Sequence, residues 1–248
     1  MEVMRQGVYF RVILAISVAA GLSMTMGCSG SKVKTKSSNE LSRYHIRSIV
    51  LIPFTSMATP QARDQEDLYL PTPDSIRRSD ISLAIPRDKQ PSPRQTMMVP
   101  GFAAEKVTEL FWGRLQDRHG VRMLPPGEAV RASSVDDELT MGPEKAAAAV
   151  ATRLKADAAL FGRVLVYQER VGSRLGANPP ATVGFEAKVV AADGQLLWVG
   201  GYYERQRPMN EDLFGFLQRW AFVTAEELAE YGVDEVLRDF PFGGEEGK

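Results

Sequence analysis

Two neighbouring stretches, 158-AALFGRVLVYQE-169 and 182-TVGFEAKVVAADGQLLWVGGYYE-204, carry the clearest structural signal in this chain of 248 residues. Val183, Phe185, Ala187, Val189 and Ala191 alternate with Gly184, Glu186 and Lys188, the period-two pattern of a strand with one buried face. Asp193-Gly194 then sits between two strand-like runs, where Asp-Gly is a strong hairpin signal. Residues 158–169, 182–192 and 195–204 therefore read as three successive strands, the last two antiparallel.

Upstream, 46-IRSIVLIPF-54 is a short β-branched run stopped by proline, which reads as a strand buried on both faces. Ala103, Val107, Leu110, Phe111 and Leu115 recur at helical spacing between charged residues, and Gly120 ends that pattern. Residues 121–124 make a brief strand, Pro125-Pro126-Gly127 a turn, and residues 128–132 the start of a short helix. Pro143 suits a first helical position ahead of the stripe Ala147, Val150, Ala151 and Leu154. Downstream, residues 210–220 look helical, and Thr224 with Glu227 fits a capping box opening a further helix through Tyr231. Strands separated by helices need crossovers, whereas the final three can form a meander. The expected fold is α/β: a mixed β-sheet with packed helices, a carboxy-terminal antiparallel meander and a helical tail.

Residues 55–100 break the pattern. They hold seven prolines (60, 71, 73, 86, 91, 93 and 100) and no sustained period, so they read as an irregular insertion outside the core. Within it Leu68, Tyr69 and Leu70, and further on Ile81, Leu83 and Ile85, form two apolar clusters of the kind that orders on a partner.

The amino terminus has the order of an export signal. Arg5 and Arg11 precede the apolar residues 12–22, and the small and polar residues Ser23, Gly27, Cys28, Ser29 and Gly30 follow. The apolar run falls short of the ~20 residues that span a bilayer. Residues 29–40 are Ser- and Lys-rich with Val33 as their only sizeable apolar side chain, the composition of a flexible tether whose Lys32, Lys34 and Lys36 would lie near lipid headgroups.

Composition excludes several classes. The chain is 44% hydrophobic and 25% charged, ordinary for a globular protein. Its net charge is −1; Glu2, Arg5 and Arg11 sum to +1, so the chain from Cys28 onward carries −2, which is not the basic footprint of a nucleic-acid binder. A single cysteine forbids an internal disulfide. With His45 and His119 the only histidines, no two-histidine zinc motif exists. His119 beside Gly120 suits a helix end, and His45 ahead of the first strand suits the surface. Asp136, Asp137 and Glu138 lack the spaced ligands of a calcium loop. No G-x-S-x-G or phosphate-loop setting is present. No catalytic residue, metal ligand or cofactor is therefore assigned, and the chain reads as a non-enzyme. Phe214, Leu217, Trp220 and Phe222 at helical spacing fit either a core face or an aromatic partner contact, and Trp198 fits strand packing.

Two resemblances add expectations. Met24-Thr25-Met26-Gly27-Cys28 resembles the lipobox of bacterial lipoproteins, matching at Gly27 and Cys28 and departing at Thr25 and Met26. It implies cleavage between Gly27 and Cys28 and acylation of Cys28, with Ser29 implying the outer membrane. Over residues 47–204, IVLIPF, the amphipathic helix, Asp157-Ala158 with Gly162, and Asp193-Gly194 with Trp198 resemble the envelope lipoproteins related to the curli secretion-channel lipoprotein. That group includes lipoprotein activators of peptidoglycan synthases and the amino-terminal domain of the TolB protein. The membrane-inserting hairpins of the channel family have no counterpart in residues 55–100.

The expected organisation is a signal peptide over residues 1–27, an acylated cysteine and tether over 28–45, an α/β domain over 46–240 interrupted at about 55–100, and a disordered tail over 241–248. The expected function is a lipid-anchored, periplasm-facing outer-membrane protein that binds or assembles envelope proteins. Leu68, Tyr69, Leu70, Phe214 and Trp220 are its expected partner contacts. An oligomeric secretion component and a hydrolase with a dispersed site are the alternatives.

Overall fold

The computed structural model describes residues 32–58, 61–62, 96–133, 141–174, 176–177, 179–206 and 221–244, all in one contact unit that begins at Lys32. In chain order the strands and helices are β1 (Val33–Ser37), β2 (Ser48–Leu51), β3 (Thr55–Ser56), β4 (Gln61–Ala62), β5 (Thr96–Met97), α1 (Gly101–Leu115), β6 (Arg122–Leu124), α2 (Pro126–Ala132), α3 (Pro143–Arg153), β7 (Ala158–Gln168), β8 (Gly172–Ser173), β9 (Gly176–Ala177), β10 (Thr182–Ala191), β11 (Leu196–Arg205) and α4 (Ala225–Arg238).

The main sheet runs β1-β11-β10-β7-β2-β6, with β3 also paired to β7. Strands β1, β11, β10 and β7 are antiparallel neighbours, whereas β7-β2 and β2-β6 are parallel. This is the mixed α/β sheet with a carboxy-terminal meander that the periodicities predict. Gly194, at φ +94°, supplies the left-handed residue of the β10–β11 turn, which Gly194 N–H closes onto Ala191 O at 2.9 Å.

Ile49, Val50 and Leu51 are fully buried because β2 is central and covered on both faces. On one face α1 and α4 bury an aromatic series, Phe54, Phe111, Phe185 and Tyr202, with successive ring centroids 4.8, 5.7 and 5.6 Å apart. On the other face α2 and α3 cover Val50, Ala159 and Val190 with small side chains, among them Ala147, Val150 and Ala151. The alanine stripe lets α3 lie close. Opposite it, Gly232 gives α4 the same proximity, since a Cβ there would stand 2.4 Å from the Tyr202 ring. The capping box at Thr224 and Glu227 is formed, and α4 runs past Tyr231 to Arg238.

Pro53 interrupts the second strand. The chain rises off β7 after Ile52 N–H bonds Leu160 O, and returns when Met57 N–H bonds Val164 O. In the gap the Phe54 ring lies on Gly162, where a Cβ would meet it at 2.1 Å.

Three expectations need correction. The tether assigned to residues 28–45 contains β1, which pairs with β11 from Val33↔Tyr202 to Ser37↔Trp198. Val33 and Thr35 alternate with Lys34 and Lys36, and Thr35 Oγ1 donates to Asp239 Oδ2 at 2.9 Å, so one apolar residue suffices for an edge strand that a neighbouring sheet recruits. Residues 55–100 do not lie wholly outside the sheet, because β3 joins β7, while β4 and β5 pair in a separate two-stranded ladder. The tail placed at 241–248 is packed as far as it is described: Phe242 is buried, and Arg118 donates to the carbonyls of Phe240, Phe242 and Gly243. That guanidinium gives residues 241–244 partners that no period in the sequence announces. Residues 245–248 lie outside the described residues.

Candidate interaction surface

Near the carboxy-terminal end of β7 lie the described ends of two long segments, residues 63–95 and 207–220. Residues 63–95 depart from β4 and return at β5, whose register, Gln61↔Met97 and Ala62↔Thr96, holds the two ends side by side. Residues 207–220 depart after β11, and the buried Gln206 closes that mouth: its Nε2 donates to Ala221 O at 3.0 Å and its Oε1 accepts from Val223 N–H at 2.9 Å. Gln206 N–H in turn bonds Ala181 O beside the start of β10. Both mouths are thus tied by short-range pairing.

Around them the surface is apolar beyond what a packed end needs. Met98, Phe102 and Val171 are 65%, 59% and 61% exposed. Phe102 stands edge-on to Tyr167, centroids 5.8 Å apart. Burial, then the negative charges of Glu226, Glu169 and Glu230, push the Tyr167 phenol up to about 12, so it stays neutral. Among the described residues, Gln168 Nε2 and Arg170 Nε are buried here without a hydrogen-bond partner. Glu169 Oε2 accepts from Ala225 N–H and so fixes the start of α4 against this end. Backbone N–H bonding by Thr224, against a smaller opposing effect of burial, holds Glu227 below its usual range, and Arg174 pairs with it at 3.0 Å.

The opposite end is occupied by structural polar groups. Asp157 Oδ2 accepts from the backbone N–H of Arg47 and Ser48 and from the Ser48 hydroxyl, each at 2.9 Å, locking β2 to β7. Burial raises that carboxyl, but these hydrogen bonds outweigh it and its pKa is lowered. Tyr44 Oη donates to Asp193 Oδ2 at 2.8 Å, which raises the phenol's pKa. A cleft of about 390 Å³ between residues 41–47 and 241–243 includes His45 and Arg47 but no carboxylate. Among the described residues no three His, Cys, Asp or Glu side chains gather as a metal-ligand set.

Gly27, Cys28, Leu68, Tyr69, Leu70, Phe214 and Trp220 all lie outside the described residues, as do Asp136, Asp137 and Glu138. The structure does bring together the points from which the segments bearing Leu68–Leu70 and Phe214–Trp220 depart. Phe222 is buried, on the core side of its two readings, as is Trp198. His119 is exposed and contributes its carbonyl, which accepts from Gly244 N–H, while Arg118 is the side chain that binds carbonyls there. His45 is exposed. Sequence reasoning missed Phe102 and Met98. Phe102 lies one residue before the helical stripe, and an apolar residue off-phase with its helix is the signal that would have found it.

No protein-family model and no curated protein matches the chain. Solved structures similar to it include the PelC dodecamer from Paraburkholderia phytofirmans (12% identity, 83% of this chain and 94% of that chain, TM-score 0.41). Others are lipoprotein GNA1162 from Neisseria meningitidis (16%, 70% and 94%, TM-score 0.33) and the LpoB C-terminal domain from Salmonella enterica (10%, 67% and 93%, TM-score 0.32).

Proposed function

We propose that the protein is a lipoprotein anchored through acylated Cys28 on the periplasmic face of the outer membrane, where it acts as a non-catalytic module that binds or assembles envelope proteins through the β7 end of its sheet. The observation that carries the binding site is the convergence of an exposed Met98, Phe102 and Val171 with the mouths of the two segments that hold Leu68, Tyr69, Leu70, Phe214 and Trp220. A monomer has little reason to leave such side chains uncovered beside two apolar-bearing excursions. The ends of β7, β10 and β11 meet there, so a partner would find a rigid platform.

Two measurements test this. Wild type should incorporate labelled fatty acid and sediment with membranes, and Cys28→Ala should do neither; an unlabelled, freely soluble wild type removes the anchor. A photo-crosslinker at Phe102 should trap a discrete envelope protein in intact cells, and the product should disappear when residues 63–95 are excised. A crosslinker at Arg238, at the other end of α4 and exposed, serves as the control, and equal products from both positions would remove the site.

A second reading, self-association, is favoured by one feature: β1 is a terminal strand in the order of the described sheet. Lys34 and Lys36 on that strand oppose edge-to-edge pairing. The mass of the detergent-extracted protein decides between one copy and several.

A further inference from the structure

Among the described residues, α2 and α3 cover the face of the sheet opposite α4 toward the Asp193 hairpin. Beyond them the register lines up cross-strand rows. Lys34 lies beside Gly201, Gly201 beside Glu186 and Glu186 beside Arg163; in the next row Lys36 lies beside Val199 and Val199 beside Lys188. Tyr203, 52% exposed, leans over Gly184 on the same face. Lys34, Lys36 and Arg163 are exposed, while Lys188 is bound by Glu144 at 3.0 Å and approached by Glu186 at 3.8 Å. On the opposite side of the sheet α4 carries five acids: Glu226, Glu227, Asp234 and Glu235 are paired with Lys106, Arg174, Arg114 and Arg238, and with Glu230 they leave the helix itself with a net negative charge. A chain of net charge −1 is therefore polarised across its sheet.

Chain length gives this polarity a direction. Only residues 29–31 separate Cys28 from Lys32, the first residue of the folded unit. Four Cα steps span at most ~14 Å fully extended, at ~3.6 Å per residue. An anchor at Cys28 thus holds the β1 edge within about that distance of the bilayer surface, at most about two Debye lengths at physiological ionic strength.

We infer that the open sheet face around Lys34, Lys36, Arg163 and Tyr203 docks on the anionic headgroup surface of the anchoring leaflet, turning the acidic helix α4 away from the membrane. This rests on acylation of Cys28. Lys34 and Lys36 come first because they stand nearest the anchor, Arg163 adds charge three strands away, and Tyr203 offers an amphipathic ring at headgroup depth. Glu186 and the Glu144–Lys188 pair temper the attraction, so docking is salt-sensitive while anchoring is not.

The test uses the full acylated chain with Tyr203→Cys, a reactive thiol distinct from the acylated Cys28, bearing an environment-sensitive fluorophore. It is reconstituted in phosphatidylethanolamine vesicles containing phosphatidylglycerol, and separately in phosphatidylcholine vesicles. Flotation in about 1 M salt reports the anchor alone, because screening at that strength removes the headgroup attraction. The label should shift to the blue and resist aqueous iodide on the anionic vesicles, and lose both effects in high salt, on phosphatidylcholine, and in the variant combining Lys34→Glu, Lys36→Glu and Arg163→Glu. A label at Glu230→Cys on α4 should stay accessible throughout. Because the three charge reversals are at exposed positions, circular dichroism should show that variant folded. Protein that floats with its Tyr203 label fully accessible overturns docking and leaves the anchor standing. Protection that persists on phosphatidylcholine and grows with protein density assigns the face to a second copy and also overturns it. Failure to float removes the anchor and the docking with it.

Discussion

Replacing residues 63–95 with a single Asn-Gly pair should raise the melting temperature of the protein. The register makes the replacement well defined, because Ala62 and Thr96 face each other in the β4–β5 ladder and a two-residue turn closes such a pair. The excised segment is 33 residues, counted from 63 through 95. Shortening a loop from 33 residues to two is about four halvings, and at ~0.6 kcal/mol each the entropy of closure falls by about 2.4 kcal/mol, a ceiling because very short loops depart from the ideal relation. For a domain of this size that corresponds to a rise of roughly 5–10 °C. The competing outcome has the opposite sign. If Leu68, Leu70 or Ile81 packed into the core, losing each would cost about 2–5 kcal/mol and the melting temperature would fall steeply. Thermal unfolding of the two proteins, followed by circular dichroism and calorimetry, separates the cases. A fall of more than a few degrees would refute the reading of this segment as a clipped excursion rather than core.

Two glycines in helices should respond oppositely to alanine. Gly113→Ala in α1 meets nothing within 4 Å and should stabilise by about 0.5–1 kcal/mol through helix propensity. Gly232→Ala in α4 drives a Cβ to 2.4 Å from the Tyr202 ring, so an overpacking cost of about 1–3 kcal/mol should exceed the same gain; denaturant midpoints of both variants check the pair. Asp157→Ala removes the acceptor of three hydrogen bonds and should cost about 1 kcal/mol, the low end because the carboxylate is exposed to water. The folded pKa of Asp157 is lowered, so its contribution is complete above the ordinary carboxylate value and is lost as pH falls through the folded one. The stability gap between wild type and Asp157→Ala should therefore close in acid below about pH 4, and a gap that widened there would contradict the assignment. Phe111→Ala, deleting a fully buried ring between Phe54 and Phe185, should cost about 3–5 kcal/mol in the same assay.

The central strands were legible because each carried a period and a boundary of its own. IVLI is apolar throughout and ends at Pro53, and β10 alternates without a break up to Asp193-Gly194. What was not legible depends on contacts made far along the chain. β1 has one apolar residue, Val33, and becomes a strand because β11 offers it an edge about 170 residues later, counted from Val33 to Tyr202. Residues 241–244 look like a tail because nothing local holds them. Their partner is the guanidinium of Arg118, which satisfies three carbonyls at once and stacks over the Phe240 ring at 5.4 Å.

Legibility of the candidate surface follows the same division. The apolar clusters of the two long segments stand out in sequence because they interrupt polar or proline-rich surroundings. That both segments spring from one end of the sheet is a property of topology alone. β3 continues the line of β2 along β7, which sets the first mouth beside Val164, while the β7–β10–β11 meander returns the second mouth to the same edge at Ala181 and Gln206. Phe102 links the two, since its ring rests on Tyr167 at the very end of β7. A partner that covers the rim would meet Met98, Phe102 and Val171 on an ordered sheet end, and substitution of Phe102 should weaken that contact without moving the strands beneath it.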